Sequence, residues 1–87
     1  MSKKMLFVYN PMAGKEQIKN KLSEIIQIFC KEGFEVTIFA TRGKEDATNI
    51  IEKKGEKYDY VVCSGGDGTM NEVATGLMNL DKRPICG

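Results

Sequence analysis

Apolar residues recur along this chain at two spacings, and the two spacings alternate in a regular order. Met5–Tyr9 is an unbroken apolar run that ends at the turn signal Asn10-Pro11. A run of that length predicts a short buried strand. In KEQIKNKLSEIIQIFCKEG, the residues Ile18, Leu22, Ile25, Ile26, Phe29 and Cys30 recur at helical spacing with charges between them. This predicts an amphipathic helix that stops at Gly33. FEVTIFA (34–40) sets Phe34, Val36, Ile38 and Ala40 on alternate positions and predicts a second strand. Ala47, Ile50 and Ile51 predict a short helix ending near Gly55, and YDYVVCS (58–64) a third strand. From Thr69 onward, Met70, Val73, Ala74, Leu77 and Met78 predict a third helix, and RPICG opens a fourth strand.

Strands separated by helix-length crossovers imply parallel pairing with right-handed connections. The expected class is α/β, a three-layer doubly wound parallel sheet. The sequence carries no internal repeat, low-complexity segment or linker. It reaches its last residue just inside the fourth strand. The expectation is therefore that these 87 residues are the amino-terminal piece of a larger protein.

Composition narrows the function classes. Thirteen basic and twelve acidic side chains leave a net charge of +1, which gives no basic field for nucleic acid. Cys30, Cys63 and Cys86 are far apart, and there is no histidine. A disulfide framework or zinc site is not expected, and the bland reading is free, mostly buried thiols in a reducing cytosol. The run after Lys3 and Lys4 is too short for a signal peptide, and no stretch approaches a membrane span. A cytoplasmic chain follows, with any membrane contact peripheral.

Ligands of open α/β sheets bind beyond the carboxyl ends of the strands. Three loops rich in turn residues should meet at that edge: NPMAGK, TRGKED and SGGDGT. In the last, Gly65, Gly66 and Gly68 let backbone N–H groups approach a ligand, and the next helix begins beside them. A strand, a glycine loop and a helix amino terminus suit phosphate. A carboxylate there repels phosphate, so Asp67 must meet a metal ion, accept a hydrogen bond from a hydroxyl, or act as a base. Thr69-Met70-Asn71-Glu72 also matches a capping box, which would explain Thr69 and Glu72 without any ligand. Asn10 and Lys15 in the first loop, and Thr41 and Lys44 in the second, are weaker phosphate candidates. Turn formation and helix-dipole complementarity by Glu45 and Asp46 would account for those loops too. The P-loop, dinucleotide-binding and protein-kinase fingerprints do not fit.

These residues resemble a family. Asn10-Pro11-Met12-Ala13-Gly14 after the first strand, Thr41 after the second, and Gly65-Gly66-Asp67-Gly68-Thr69-Met70-Asn71-Glu72-Val73 after the third are similar to the catalytic domain of diacylglycerol kinases and related lipid kinases. The resemblance spans essentially the whole chain. It implies an ATP-binding amino-terminal domain with a phosphofructokinase- and NAD kinase-like sheet. The expected reaction is Mg²⁺-assisted transfer of the ATP γ-phosphoryl group to a lipid hydroxyl. By that resemblance Asn10 to Gly14, Thr41, and Gly66 to Glu72 contact ATP, Asp67 is needed for transfer, and no residue here is a metal ligand. A second, lipid-binding domain and the family's P-x-G-T-x-N-D motif would lie outside these residues, so this piece alone is expected to be inactive. A homodimer stays open. Where the family often has Gly-Asp-Ala after the Thr, this chain has Glu45-Asp46-Ala47, and Thr75-Gly76 replaces a common Asn-Gly. GGDGT is shared with NAD kinases, which keeps a NAD kinase-like enzyme as the rival reading. A nucleotide-binding piece without catalysis is the second rival.

Overall fold

The computed structural model describes residues 3–11, 16–64 and 67–86, with the backbone only for 16–21 and 67. The elements are β1 (Lys3–Tyr9), α1 (Glu16–Lys31), β2 (Phe34–Ala40), α2 (Asp46–Lys54), β3 (Tyr60–Ser64), α3 (Asp67–Met78) and β4 (Ile85–Cys86). A single 3₁₀ turn, Gly55–Lys57, follows α2. All strand pairs are parallel, in the order β2-β1-β3-β4. The first crossover moves to one side of β1 and the second to the other. With right-handed connections, α1 lies on one face of the sheet and α2 and α3 on the opposite face. The three-layer doubly wound arrangement follows.

The continuous apolar run of β1 is explained by its central place. Met5, Leu6, Phe7 and Val8 are each 2% exposed or less, because both faces of the strand are covered. Leu6 and Val8 join Val61 of β3, Ala47 and Ile51 of α2, Val73 of α3 and Leu80 in one cluster. Each such aliphatic side chain contributes on the order of 1.5–3 kcal/mol on burial. On the α1 face, Phe29 meets Phe34 edge-on at 5.9 Å, and Phe34 meets Tyr60 in the same manner at 5.1 Å. Asp59 fixes the start of the central pair. Its carboxylate accepts from the Lys4 N–H at 2.9 Å and its own N–H donates to the Lys4 carbonyl at 2.8 Å. The turn out of α1 uses Gly33 at φ 91°, a conformation that glycine adopts without penalty.

Several expectations are corrected. β1 begins at Lys3 and α3 at Asp67, two residues before each predicted start. The buried face of α3 is Thr69, Val73 and Gly76, while Met70 and Met78 are 56% and 69% exposed. The reason is steric: α2 crosses α3 at Gly76, where an added Cβ would stand 2.7 Å from Ile51 Cβ and 3.0 Å from the Thr48 carbonyl oxygen. Only the face carrying that glycine can approach so closely. β2 is an edge strand, so Ile38 and Ala40 are exposed, and Phe39 packs on the opposite face against the main cluster. The thiols are not mostly buried: Cys30 and Cys86 are exposed and Cys63 is half-buried. Cys30 sits on the outer surface of α1, and Cys86 lies on the short outer strand β4.

Candidate functional site

The strand order places the ends of β1, β2 and β3 side by side, and hydrogen bonds hold them in register. The Thr41 N–H donates to the Tyr9 carbonyl at 2.8 Å, and the Asn10 N–H donates to the Ser64 carbonyl at 3.0 Å. Beyond these ends lies a cleft of about 240 Å³. Asn10 comes from the end of β1, Thr41, Arg42, Gly43 and Lys44 from the loop after β2, and Gly68, Thr69 and Glu72 from α3.

Two of its walls are joined directly. The Asn10 Nδ2 donates to the Thr69 hydroxyl at 3.3 Å, across fifty-nine residues of sequence. Thr41 and Thr69 are each only 6% exposed, so their polar atoms sit in the recess of the cleft. The Thr48 hydroxyl of α2 donates to the Glu72 carbonyl at 2.7 Å, which ties the two helices beneath the cleft. Arg42 is the exposed lip: its N–H donates to the Asp46 carboxylate at 2.8 Å and its Nε lies 3.6 Å from the same oxygen. An exposed ion pair of this kind contributes little to stability.

The capping box predicted for Thr69 and Glu72 does not form. α3 begins at Asp67, so Thr69 is already its third residue, and its hydroxyl accepts from Asn10 instead. The Glu72 Oε1 is buried and has no hydrogen-bond partner among the described residues. Buried polar atoms are seldom left this way, and each one calls for an explanation. The amino terminus of α2 carries a second irregularity. Glu45 has φ 68°, in the left-handed region that favours glycine. That is the position where the sequence departs from Gly-Asp-Ala.

Of the residues singled out from sequence, Asn10, Thr41, Gly68, Thr69 and Glu72 are brought together in the cleft, with Lys44 at its rim. Pro11 is half-buried, Met70 and Asn71 are exposed on α3, and none of these three lines the cleft. Met12, Ala13, Gly14, Lys15, Gly65 and Gly66 lie outside the described residues, as does the side chain of Asp67, whose backbone is the first residue of α3. Arg42 and Gly43 also line the cleft and were not singled out. Their place directly after Thr41, at the carboxyl end of β2, was the available signal. Among the described residues there is no group of three or more side chains suited to hold a metal ion, and no helix is long and apolar enough to cross a membrane.

The donor set is coherent. Gly68 and its neighbours open α3, whose first N–H groups have no partner within the helix and favour anions. A hydroxyl, an amide and a lysine converge on the same space. This is chemistry for a phosphate with a polar body attached.

The family model of the diacylglycerol kinase catalytic domain matches residues 4–87. The chain is 38% identical over 86 residues to a diacylglycerol kinase of Bacillus subtilis and 42% identical over 90 residues to one of Staphylococcus carnosus. Those alignments take in 98% and 100% of this chain but 28% and 29% of the two relatives. A crystal structure of a diacylglycerol kinase from Bacillus anthracis superposes with a TM-score of 0.86 at 31% identity, over 97% of this chain and 31% of that one. The chain thus spans less than a third of the length of these relatives.

Proposed function

This chain belongs to the diacylglycerol kinase catalytic-domain family, and on that premise we propose that it is the ATP-binding, amino-terminal part of a lipid kinase. The reaction is transfer of the ATP γ-phosphoryl group to a lipid hydroxyl such as that of diacylglycerol. The acceptor oxygen bonds to the γ-phosphorus as the bond to the β–γ bridging oxygen breaks, ADP leaves, and the hydroxyl proton passes to a base. In such transfers the protein acts mainly by positioning and charge stabilisation.

The observation that carries the reading is the cleft itself. Loops after β1 and β2 and the first turn of α3 meet at one edge of a parallel sheet, with Asn10, Thr41 and Thr69 in contact or side by side. We assign phosphate contacts to the loop 10–14 and the stretch 66–69, and a supporting contact to Thr41. Lys44 adds positive charge at the rim. Asp67 opens α3 at the phosphate end and is assigned to transfer. Mg²⁺, when bound, would supply positive charge to stabilise the transferring phosphoryl group; none of the described residues is assigned to hold it. At about 240 Å³ the cleft is smaller than the roughly 300–1,000 Å³ of whole small-molecule sites, and it suits part of a nucleotide. The acceptor half, a lipid-binding second domain, is assigned to the remainder of a longer protein.

Titration of the 87-residue chain with Mg-ATP tests the binding half. Saturable binding is expected, and absence of binding would leave only a folded piece or an assembly surface. The catalytic half is tested in the longer protein with diacylglycerol and with NAD as acceptors. Transfer to NAD alone would overturn the lipid assignment in favour of a NAD kinase-like enzyme. Asp67→Asn in that protein should preserve folding and remove most turnover; activity near wild type would make Asp67 a turn residue.

A further inference from the structure

β2 is the outer strand of the sheet, beside β1. An open edge presents a row of N–H and C=O groups on which another strand can pair. Proteins commonly blunt such edges with lysine, proline, a bulge or a very short strand. β2 has none of these. FEVTIFA is seven residues long and contains neither lysine nor proline. Its register with β1 runs unbroken from Phe34 to Ala40, so it carries no bulge. Ile38 is 42% exposed on it.

The direction of each backbone group follows from one bond. The Thr41 N–H donates to the Tyr9 carbonyl of β1, and backbone direction alternates along a strand. Glu35, Thr37 and Phe39 therefore turn their N–H and C=O groups toward β1, and Phe34, Val36, Ile38 and Ala40 turn theirs outward. Side chains alternate as well. Phe34 lies on the α1 face against Phe29, and Phe39 on the opposite face against the main cluster. Glu35 and Thr37 share the face of Phe39, and both are exposed.

This edge is complementary to itself. In an antiparallel pair centred on Thr37, Val36 exchanges both ladder bonds with the partner's Ile38, and Phe34 does so with the partner's Ala40. Centring on Val36 or Ile38 leaves part of the strand unpaired. On the α1 face the exposed Ile38 gains an apolar neighbour in the partner's Val36. On the other face Glu35 falls opposite the partner's Phe39. Phe39 lines a recess of about 170 Å³ with Arg42, Asp46, Asn49, Ile50 and Lys53. Its one carboxylate, Asp46, is already paired with Arg42. The only charged residue of β2 thus meets a recess of net positive charge, and symmetry makes the contact twice.

We propose that β2 is a dimerisation edge, on which a second copy of this chain pairs antiparallel about Thr37 and joins the two sheets into one. The inference is independent of the nucleotide reading. It also bears on the cleft, because Arg42 lines both the recess and the cleft. The partner's Glu35 would approach the residue that forms the cleft's lip.

The test combines sedimentation equilibrium with site-specific cross-linking, in the 87-residue chain and in the longer protein. Thr37 and its counterpart form a pair without ladder bonds, their Cα atoms about 4.5 Å apart, within disulfide reach. Thr37→Cys with oxidised glutathione should give a covalent dimer through the introduced thiols, identified by peptide mapping. Glu35→Cys, set opposite Phe39, should not. Ile38→Pro removes an outward N–H and no bond to β1, a change that edge strands tolerate. It should weaken dimerisation about 5- to 150-fold, for two lost hydrogen bonds per dimer, with the circular dichroism unchanged. Glu35→Arg should weaken it about 3- to 30-fold, and Lys53→Glu added to it should recover most of that loss. A monomeric wild type would overturn the inference. So would a dimer that keeps its affinity in Ile38→Pro, or one that fails to cross-link through Thr37→Cys. A cross-link formed by the 87-residue chain but not by the longer protein would also overturn it, and would assign the edge to a strand from the remainder. Should Ile38→Pro fail to fold, the charge exchange carries the test, and affinity that Lys53→Glu does not recover would count against the inference.

Discussion

Gly76→Ala sets two known effects against each other at a single methyl group. In a helix interior, alanine is favoured over glycine by about 0.5–1 kcal/mol, so helix propensity alone predicts a more stable protein. The packing predicts the opposite. The new Cβ would stand 2.7 Å from Ile51 Cβ, 2.8 Å from Ile51 Cγ2 and 3.0 Å from the Thr48 carbonyl oxygen. The first and last of these atoms belong to the trunk of α2 and cannot rotate away, so the helices must separate. Overpacking of this kind costs about 1–3 kcal/mol. The net expectation is destabilisation by up to about 2.5 kcal/mol, a fall in Tm of up to roughly 20 °C for a domain of this size. Thermal and urea unfolding followed by far-ultraviolet circular dichroism would measure it. Ala74→Gly, at an exposed position of the same helix, calibrates the propensity term and should cost up to about 1 kcal/mol. A Gly76→Ala protein more stable than wild type would refute the close approach of α2 to α3, and with it the explanation of which face of α3 is buried.

Other consequences are open to simple measurement. Glu45 at φ 68° is strained by about 1–2 kcal/mol relative to glycine in that region, partly offset by glycine's greater freedom in the unfolded chain. Glu45→Gly should therefore leave the urea midpoint equal or higher, and a clear drop would argue against the left-handed conformation. Burial, followed by the charge of nearby Cys86, holds the Cys63 thiol above its ordinary value of 9.0. A raised value favours the protonated native state, so this stabilisation is present below about pH 9 and is lost as pH rises through the folded-state value. Cys63→Ala should lack that alkaline loss, and an unchanged pH profile would contradict it. By the same burial, alkylation should reach Cys30 and Cys86 before Cys63, with peptide mapping as the readout.

The sheet was legible because its signals are local. The bounds of β2 were read correctly from alternation, and the run Met5–Tyr9 announced a strand covered on both sides. The face of α3 was not legible in the same way. Met70, Ala74 and Met78 obey helical spacing as well as the buried residues do. The choice between the two flanks was made by Gly76, a residue with no hydrophobic signal, through its contact with Ile51, twenty-five positions earlier. The capping box failed for a related reason. Thr69 and Glu72 satisfy the local pattern, but an earlier helix start and a long-range bond from Asn10 redirect the threonine. In the cleft, residues next to turn signals were found from sequence. Arg42 and Gly43 share the turn-rich loop of Thr41, and the pairing of β2 with β1 puts them on the cleft wall.

The bonds at the end of β1 have a mechanical consequence. Tyr9 accepts from Thr41 on one side, and Asn10 donates to Ser64 on the other. Two consecutive residues thus clamp both neighbouring strands, and Asn10 also reaches the helix that follows the second of them. A slide of β1 along its own axis would carry the adjoining rims of the cleft with it, like jaws cut from one block. The opening is then gauged by the sheet and not by the individual loops. Sequence drift within TRGKED can alter what the rim offers a ligand while leaving the gap between its walls as the central strand sets it.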